Sequence, residues 1–181
     1  MKDRLNLTEG RITEKLLKLS LPIMGTSFIQ MGYNMIDMIW VGKAGSKAVA
    51  AVGTAGFFPW LAMAFIMISK VGGEIKVAQS IGANNISTTK SYMKSAIEIN
   101  IILAIIYTIS LIVLNKQLIG FFRLGDLEVI TMSRQYLIIV ALSMVFYFIN
   151  PVFTAIFNGL GNSKTPFRIN TVGLITNIIL D

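Results

Sequence analysis

Apolar side chains dominate five long stretches of this chain, and most charged residues lie between them. A helix needs roughly 20 predominantly apolar residues to cross the hydrocarbon core of a bilayer. The second stretch, 49–69, has 21 consecutive uncharged residues, enough for one crossing. The pattern therefore predicts an all-α integral membrane protein, a bundle of about five transmembrane helices at roughly 14–41, 48–80, 92–114, 128–159 and 165–181.

The connections between these helices differ in basic charge. Nine Lys and Arg residues lie in the N-terminal segment and in the second and fourth connections, against five in the first and third. Basic residues are enriched on the cytoplasmic side, so we expect a multi-pass protein of the bacterial inner (plasma) membrane with a cytoplasmic N-terminus. The fifth stretch is still in progress at Asp181, without a closing turn, and we expect the chain to be a fragment of a longer protein.

Composition removes several classes of chemistry. Hydrophobic residues make up 54% of the 181 residues and charged residues 14%, whereas soluble domains carry about 25% charged residues. The sequence has no Cys and no His, which excludes disulfides, imidazole bases and zinc sites built from those ligands. No P-loop and no Gly-x-Ser-x-Gly motif is present, and a net charge of +7 suits cytoplasmic loops. We therefore expect no enzyme, no cofactor and no nucleic-acid partner.

A carboxylate in the first predicted helix needs an explanation. Asp37 costs about 2.5–3.5 kcal/mol to insert if it lies near the middle of the bilayer, and such groups are most often functional. Gln30, Tyr33, Asn34 and Asp37 are spaced three, four and seven residues apart, so they share one helix face. Pro22 in the same helix removes a backbone hydrogen bond and permits a bend. The alternative is that Asp37 simply lies at the membrane interface.

Polar stripes recur on the other predicted helices. Asn177 and Asp181 lie four residues apart on the fifth helix, so both could reach one small cation, with Asp37 completing an all-oxygen site for Na⁺. The carboxylates could instead bind protons. The remaining stripes predict a shared hydrated cavity, unless they only hold helices together; their residues are Tyr147, Asn150, Thr154 and Asn158 on the fourth helix, Asn170 on the fifth, and Asn100 and Tyr107 on the third. Lys70 and Glu74, four apart, are interpreted as a structural ion pair.

Several local patterns together resemble one transporter family. They are Leu-Ser-Leu-Pro22, Asp37-Met-Ile-Trp-Val-Gly42, Ala50-Ala-Val-Gly53, Gln79-Ser-Ile-Gly-Ala83, Asn158-Gly-Leu-Gly-Asn-Ser-Lys-Thr-Pro166 and Asn177-Ile-Ile-Leu-Asp181. In this order the chain resembles the N-terminal part of multidrug and toxic compound extrusion (MATE) transporters over essentially its whole length. The resemblance implies most of one six-helix lobe of a twelve-helix antiporter, with the C-lobe absent.

The resemblance also implies roles for individual residues. Asp37, Asn177 and Asp181 match the N-lobe cation site, Gln30 and Tyr33 match cavity positions, and Pro22 matches the bending proline. The leading hypothesis is efflux of small organic cations against Na⁺ or H⁺. The alternatives are a flippase for lipid-linked oligosaccharides, or a membrane assembly subunit that transports nothing. The partners expected are the lipid bilayer, an organic substrate and the missing C-lobe of the same polypeptide.

Overall fold

The computed structural model describes residues 12–180, and these residues form helices and short turns without any strand. The all-α prediction is therefore confirmed for this part of the chain. Its six helices are α1 (Ile12–Lys43), α2 (Ser46–Gly82), α3 (Ile86–Val113), α4 (Asn115–Gly120), α5 (Leu127–Gly159) and α6 (Lys164–Leu180).

Two features of this element order were not predicted. Helix α3 begins at Ile86, six residues before the predicted start, because the Asn85 side chain accepts a hydrogen bond from the Thr88 backbone N–H at 3.0 Å and caps the helix. The six-residue helix α4 lies in what was predicted to be a connection. It is fixed to α5 by a reciprocal pair, in which Arg134 Nε donates to Asn115 Oδ1 at 3.0 Å and Asn115 Nδ2 donates to the Arg134 carbonyl at 3.1 Å.

The α2–α3 and α5–α6 turns are built in the same way. Each has a residue in the left-handed region, Asn84 (φ 56°) in the first and Gly161 (φ 75°) in the second. The next residue, Asn85 or Asn162, donates its backbone N–H to the carbonyl five residues earlier and caps the following helix with its side chain. These turns end one helix and start the next within five residues, so the paired helices run antiparallel.

Helices α2, α3 and α5 pack together and form the core of the described structure. The buried positions of α2 recur every three or four residues from Ala48 to Ser80, and most of them are small. Small residues allow helix backbones to approach closely, which is how helices associate in a bilayer without a strong hydrophobic drive. Helix α1 lies outside this core and packs mainly on α6, with a lighter contact to α2.

The membrane prediction agrees with the helices of the core. Helices α2, α3 and α5 are long and apolar enough to cross a bilayer, judged by length and composition. Large apolar side chains also cover their outer surfaces, for example Trp60, which is 69% exposed, and Phe146, which is 76% exposed. A helix that is apolar on all sides is typical of a membrane span.

An ion-pair cluster joins the start of α2 to the start of α5. Lys47 Nζ lies 3.1 Å from Asp126 and 2.5 Å from Glu128. The Asp126 carboxylate also accepts hydrogen bonds from the backbone N–H groups of Glu128 and Val129, which caps α5. The Lys47 hydrogen bond, followed by these backbone bonds, holds the pKa of Asp126 below its usual range.

Adjacent glycines of α2 offer a test of the helix spacing. A Cβ added at Gly73 would lie 2.8 Å from the Cβ of Ala96 in α3, whereas one added at Gly72 would meet nothing within 4 Å. We expect Gly73→Ala to lower the thermal unfolding temperature in detergent, because α2 and α3 must separate. Gly72→Ala is the matched control and should be neutral or stabilising, since alanine favours a helix over glycine by about 1 kcal/mol. Equal behaviour of the two variants would contradict the close α2–α3 contact.

Candidate functional site

Of the polar residues predicted to share one face of α1, Tyr33 is partly buried against α6, whereas Gln30, Asn34 and Asp37 are exposed in the described structure. Asp37 lies six residues before the end of α1 at Lys43. Its carboxyl group is within electrostatic range of the phenol groups of Tyr33 on its own helix and Tyr136 on α5. The acid singled out by its insertion cost therefore lies near tyrosine hydroxyl groups of both α1 and α5.

Helices α1 and α6 run in the same direction and touch at two glycines. A Cβ at Gly25 of α1 would meet the Phe167 ring of α6 at 2.5 Å, and one at Gly173 of α6 would meet the Tyr33 hydroxyl of α1 at 2.6 Å. One helical turn beyond the second contact lie Asp37 on α1 and Asn177 on α6. Both helices run in parallel from that contact. The Asp37 and Asn177 side chains therefore lie at the same depth in the bundle, measured along the helix axes.

Asn177 carries an unused acceptor at this depth. Its side-chain Oδ1 is buried and has no hydrogen-bond partner within the described residues. Burying an amide oxygen without a hydrogen-bond donor costs about 1–3 kcal/mol. A bound cation or an acidic proton can remove this cost by interacting with the oxygen. Asp181, the third residue of the predicted set, lies outside the described residues. Within the described part of the chain, no three acidic side chains gather as a metal cluster.

A pocket opens between α5 and α6. Its volume is about 450 Å³, which is within the usual range for small-molecule sites. Asn150 and Thr154, two of the residues predicted to line a cavity, do line this pocket, together with Asn170 from α6. Asn170 also donates its amide to the Pro166 carbonyl at 2.7 Å. None of the residues that line the pocket is charged.

Aromatic rings form much of the remaining pocket wall. Phe146, Phe153 and Phe157 line it from one face of α5. These residues were not predicted from the sequence, because a Phe that faces a cavity and a Phe that faces lipid look alike in an apolar run. Their spacing of seven and four residues on the same face as Asn150 was the available signal.

The other predicted cavity residues lie elsewhere. Gln30, Tyr33 and Asn34 of α1 do not line this pocket, and Tyr33 instead contacts Gly173 of α6. Tyr147 is also not among the lining residues and lies within electrostatic range of Tyr107 on α3. The polar residues predicted to form one stripe on α5 therefore lie next to different neighbours.

The polar residues Asn100 and Tyr107 of α3 form hydrogen bonds to the neighbouring helix α2. Asn100 is fully buried and donates its amide to Ser69 Oγ of α2 at 2.7 Å, and the Tyr107 hydroxyl donates to the Phe58 carbonyl at 2.7 Å. Both groups hold α3 against α2, which was the alternative interpretation.

Pro22 lies inside α1, which is helical on both sides of it. Proline has no backbone N–H group, so one helix hydrogen bond is missing at this position. Four residues later, the Thr26 hydroxyl donates a hydrogen bond to the Pro22 carbonyl at 3.0 Å. The bending role of Pro22 stays a prediction.

Comparison with known proteins matches this arrangement. The family model described as MatE matches residues 22–181. A probable multidrug resistance protein NorM of Thermotoga maritima is 28% identical over 94% of this chain and 36% of its own length. A probable multidrug resistance protein YpnP of Bacillus subtilis is 24% identical over 97% of this chain and 39% of its own length. A crystal structure of MATE in complex with MaD3S superposes with a TM-score of 0.85 at 25% identity, covering 96% of this chain and 38% of that one. The chain thus spans less than two fifths of the length of these proteins.

Proposed function

The chain belongs to the MatE family, and from this premise we propose that it is the N-terminal part of a secondary active multidrug efflux transporter. In this proposal the transporter exports small organic cations in exchange for Na⁺ or H⁺. It lies in the plasma membrane with its N-terminus in the cytoplasm, and the remainder of the same polypeptide completes it. The named relatives are probable multidrug resistance proteins, which supports the drug-efflux part of the proposal.

The observation that carries the coupling site is the match in depth between Asp37 and Asn177. One supplies a carboxylate and the other a buried amide oxygen without a hydrogen-bond partner. In the sequence, Asp181 follows Asn177 by four residues, which is the spacing at which two side chains of a helix share one face. Carboxylate and amide oxygens are the ligands that a hard cation prefers, and a pair of carboxyl groups that share a site can also hold a proton.

The pocket between α5 and α6 supports the substrate side of the proposal. Ring faces attract organic cations, and the amide and hydroxyl groups of Asn150, Thr154 and Asn170 can accept or donate hydrogen bonds. Since its lining is apolar, aromatic and uncharged, it suits flat lipophilic cations of varied structure. A flippase for phosphate-bearing lipid-linked sugars would be better served by a basic cavity, and no Lys or Arg lines this one.

Ion binding and drug binding are coupled if α6 moves when the ion binds, because α6 also forms one wall of the pocket. Asn170 and Asn177 lie two turns apart on this helix, so the pocket and the ion site share one rigid element. An ion that draws Asn177 and Asp181 toward Asp37 would pull α6 toward α1 and change its distance from α5. Pro22 gives α1 a point at which to bend in response.

Reconstitution of the full-length protein tests this function. In proteoliposomes that contain a fluorescent organic cation, we expect an inward Na⁺ gradient or an inward pH gradient to drive its export. A potential of about 100 mV supplies roughly 2.3 kcal/mol per charge, so voltage is clamped with K⁺ and valinomycin to isolate each gradient. Equal dye movement in empty and protein-containing vesicles under both gradients would overturn the proposal. The two gradients applied separately decide between Na⁺ and H⁺.

A further inference from the structure

The outer face of α3 changes from apolar to polar at one point along the helix. From Ile99 to Val113 every exposed side chain is apolar, and six of these seven residues are isoleucine. From Ile86 to Glu98 most exposed side chains are polar, and the aromatic one among them, Tyr92, is of a type enriched at membrane interfaces. We call residues 86–98 the polar segment of α3. The change from isoleucines to polar groups marks the edge of the hydrocarbon core.

The length of α3 places this polar segment among lipid headgroups. Its 28 residues span about 42 Å, at about 1.5 Å per residue. The hydrocarbon core of a bilayer is about 30 Å thick, and the bilayer with its headgroup regions is about 40–45 Å thick. Because α3 stays apolar up to its last residue, Val113, the excess length lies at its other end. The polar segment therefore extends from the edge of the hydrocarbon core into the headgroup region.

Serine and lysine side chains lie next to each other on the exposed side of the polar segment. The serines are Ser87, Ser91 and Ser95, and the lysines are Lys90 and Lys94. Each lysine follows a serine by three residues, so the two are neighbours on the helix surface. In the apolar part of α3 the Ser110 hydroxyl donates to the Ile106 carbonyl at 2.8 Å, whereas these three serines make no side-chain hydrogen bond within the described residues. Their hydroxyl groups can therefore donate to a ligand.

The ends of two other helices lie beside the polar segment. The Thr89 hydroxyl donates to Ser80 Oγ, near the end of α2, at 2.9 Å. Leu160, directly after α5, packs against an apolar cluster between α3 and α5. The sequence at this end of the bundle is rich in positive charge, with six basic and two acidic residues in the ranges 70–98 and 159–168. The charge therefore favours an anionic partner.

Lysines at the two ends of the bundle differ in their partners. Lys94 has one acid nearby, Glu98 at 3.6 Å, and both side chains are more than half exposed, so this ion pair is weak. Lys90 has no ion pair within 4 Å among the described residues. At the opposite end, by contrast, Lys47 contacts two carboxylates. The lysines of the polar segment are therefore available to a ligand, whereas Lys47 is not.

An anionic phospholipid matches both parts of this surface. Its phosphate accepts hydrogen bonds from hydroxyl and ammonium groups, and anionic lipids attract lysines close to the membrane surface. Its acyl chains would lie along the isoleucines that begin at Ile99, one helical turn from Ser95. A free phosphate ion could use the donors but not the isoleucines, and the positive group of a zwitterionic lipid would oppose the lysines.

We propose that the polar segment of α3 is a binding site for the headgroup of an anionic phospholipid. Lys90 and Lys94 neutralise the phosphate, the neighbouring serines donate hydrogen bonds to its oxygens, and the acyl chains pack on the isoleucines. Glu98 competes with the phosphate for Lys94, so it limits the affinity. This inference goes beyond the proposed function, because it depends neither on the transported substrate nor on the side of the membrane that this end of the bundle faces.

Lipid binding to the purified full-length protein tests the proposal. Native mass spectrometry from detergent micelles counts the bound lipids, with phosphatidylglycerol and phosphatidylcholine of the same acyl chains as the two probes. We expect phosphatidylglycerol to bind more tightly. Lys90→Gln and Lys94→Gln should each lower its affinity about fivefold, the effect of one lysine near an anionic surface, and should leave phosphatidylcholine binding unchanged. Glu98→Gln should raise the affinity for phosphatidylglycerol, because the competing carboxylate is gone.

A matched control separates a site from an effect of net charge. Lys116 is exposed on α4 at the opposite end of the bundle, and Lys116→Gln should leave the affinity for phosphatidylglycerol unchanged. Lys94→Arg keeps the charge and should retain phosphatidylglycerol binding. Inorganic phosphate at millimolar concentration should not displace the lipid. An equal loss of affinity in Lys116→Gln, equal affinity of the unsubstituted protein for the two lipids, or displacement by inorganic phosphate would each overturn the proposal.

Discussion

Asp37→Asn in the full-length transporter is expected to abolish the effect of the coupling ion on drug export while leaving the protein folded. The substitution keeps the size and hydrogen-bonding shape of the side chain and removes its charge. Coupling between two sites in a transporter is typically worth about 1–3 kcal/mol, or roughly 5–150-fold in affinity. The variant should lose this difference in drug affinity, so the drug should bind equally well with and without the ion.

The measurement is drug binding to purified protein across a range of Na⁺ concentrations and pH values, together with ion-driven export in proteoliposomes. Asp126→Asn provides a matched control, because it makes the same chemical change at an exposed acid outside the spans. It should leave ion dependence intact. Asp37→Glu should recover part of the coupling. If Asp37→Asn exports drug with unchanged ion dependence, Asp37 has no coupling role.

The size of this effect depends on Asn177 as well as Asp37. Asn177→Leu removes the amide oxygen that lacks a hydrogen-bond partner in the described structure. If the two residues hold one ion, each single variant should cost most of the coupling, and the double variant should cost little more. Additive losses would instead indicate that the residues act separately.

The sequence predicted the fold well because each long helix carries a local signal. Uncharged runs of about 20 residues and turn residues such as Asn85 and Gly161 are readable without tertiary information. The short helix α4 carries no such signal, because six residues cannot show a helical period, and its position depends on the Asn115–Arg134 pair 19 residues apart.

The candidate site was harder to predict, for a physical reason. Polar residues on membrane helices look alike in sequence whether they face a cavity or another helix. Asn100 and Asn150 differ only in their neighbours, because Asn100 is buried against Ser69 of α2 whereas Asn150 borders the pocket between α5 and α6. Asp37 can be singled out from the sequence because a carboxylate within a predicted membrane span is costly in any context, and its role stays a prediction. The predicted ion pair of Lys70 and Glu74 is not among the ion pairs of the described residues, because a four-residue spacing sets the face that two side chains share and not their rotamers.

Phe157→Ala is expected to weaken binding of flat aromatic cations by about tenfold, while binding of the coupling ion stays unchanged. Phe157 lines the pocket between Phe153 and the α5–α6 turn. Ring stacking contributes about 0.5–1.5 kcal/mol beyond the area buried, and a partly desolvated cation over a ring gains up to about 2 kcal/mol. Since no carboxylate lines the pocket, these terms must supply much of the affinity for positive charge.

Two comparisons make this effect specific to the ring. Phe157→Tyr keeps the aromatic face and should retain most of the affinity, whereas Phe157→Leu keeps bulk without the ring and should behave more like alanine. Phe121→Ala is the control elsewhere, because this side chain is 80% exposed and does not line the pocket. Calorimetry of a planar dye cation and of its neutral analogue separates cation attraction from apolar contact. If the unsubstituted protein and Phe157→Ala bind the cation with equal affinity, the substrate binds outside the α5–α6 pocket. If Phe157→Ala loses the same affinity for the dye cation and for its neutral analogue, Phe157 contributes apolar packing alone.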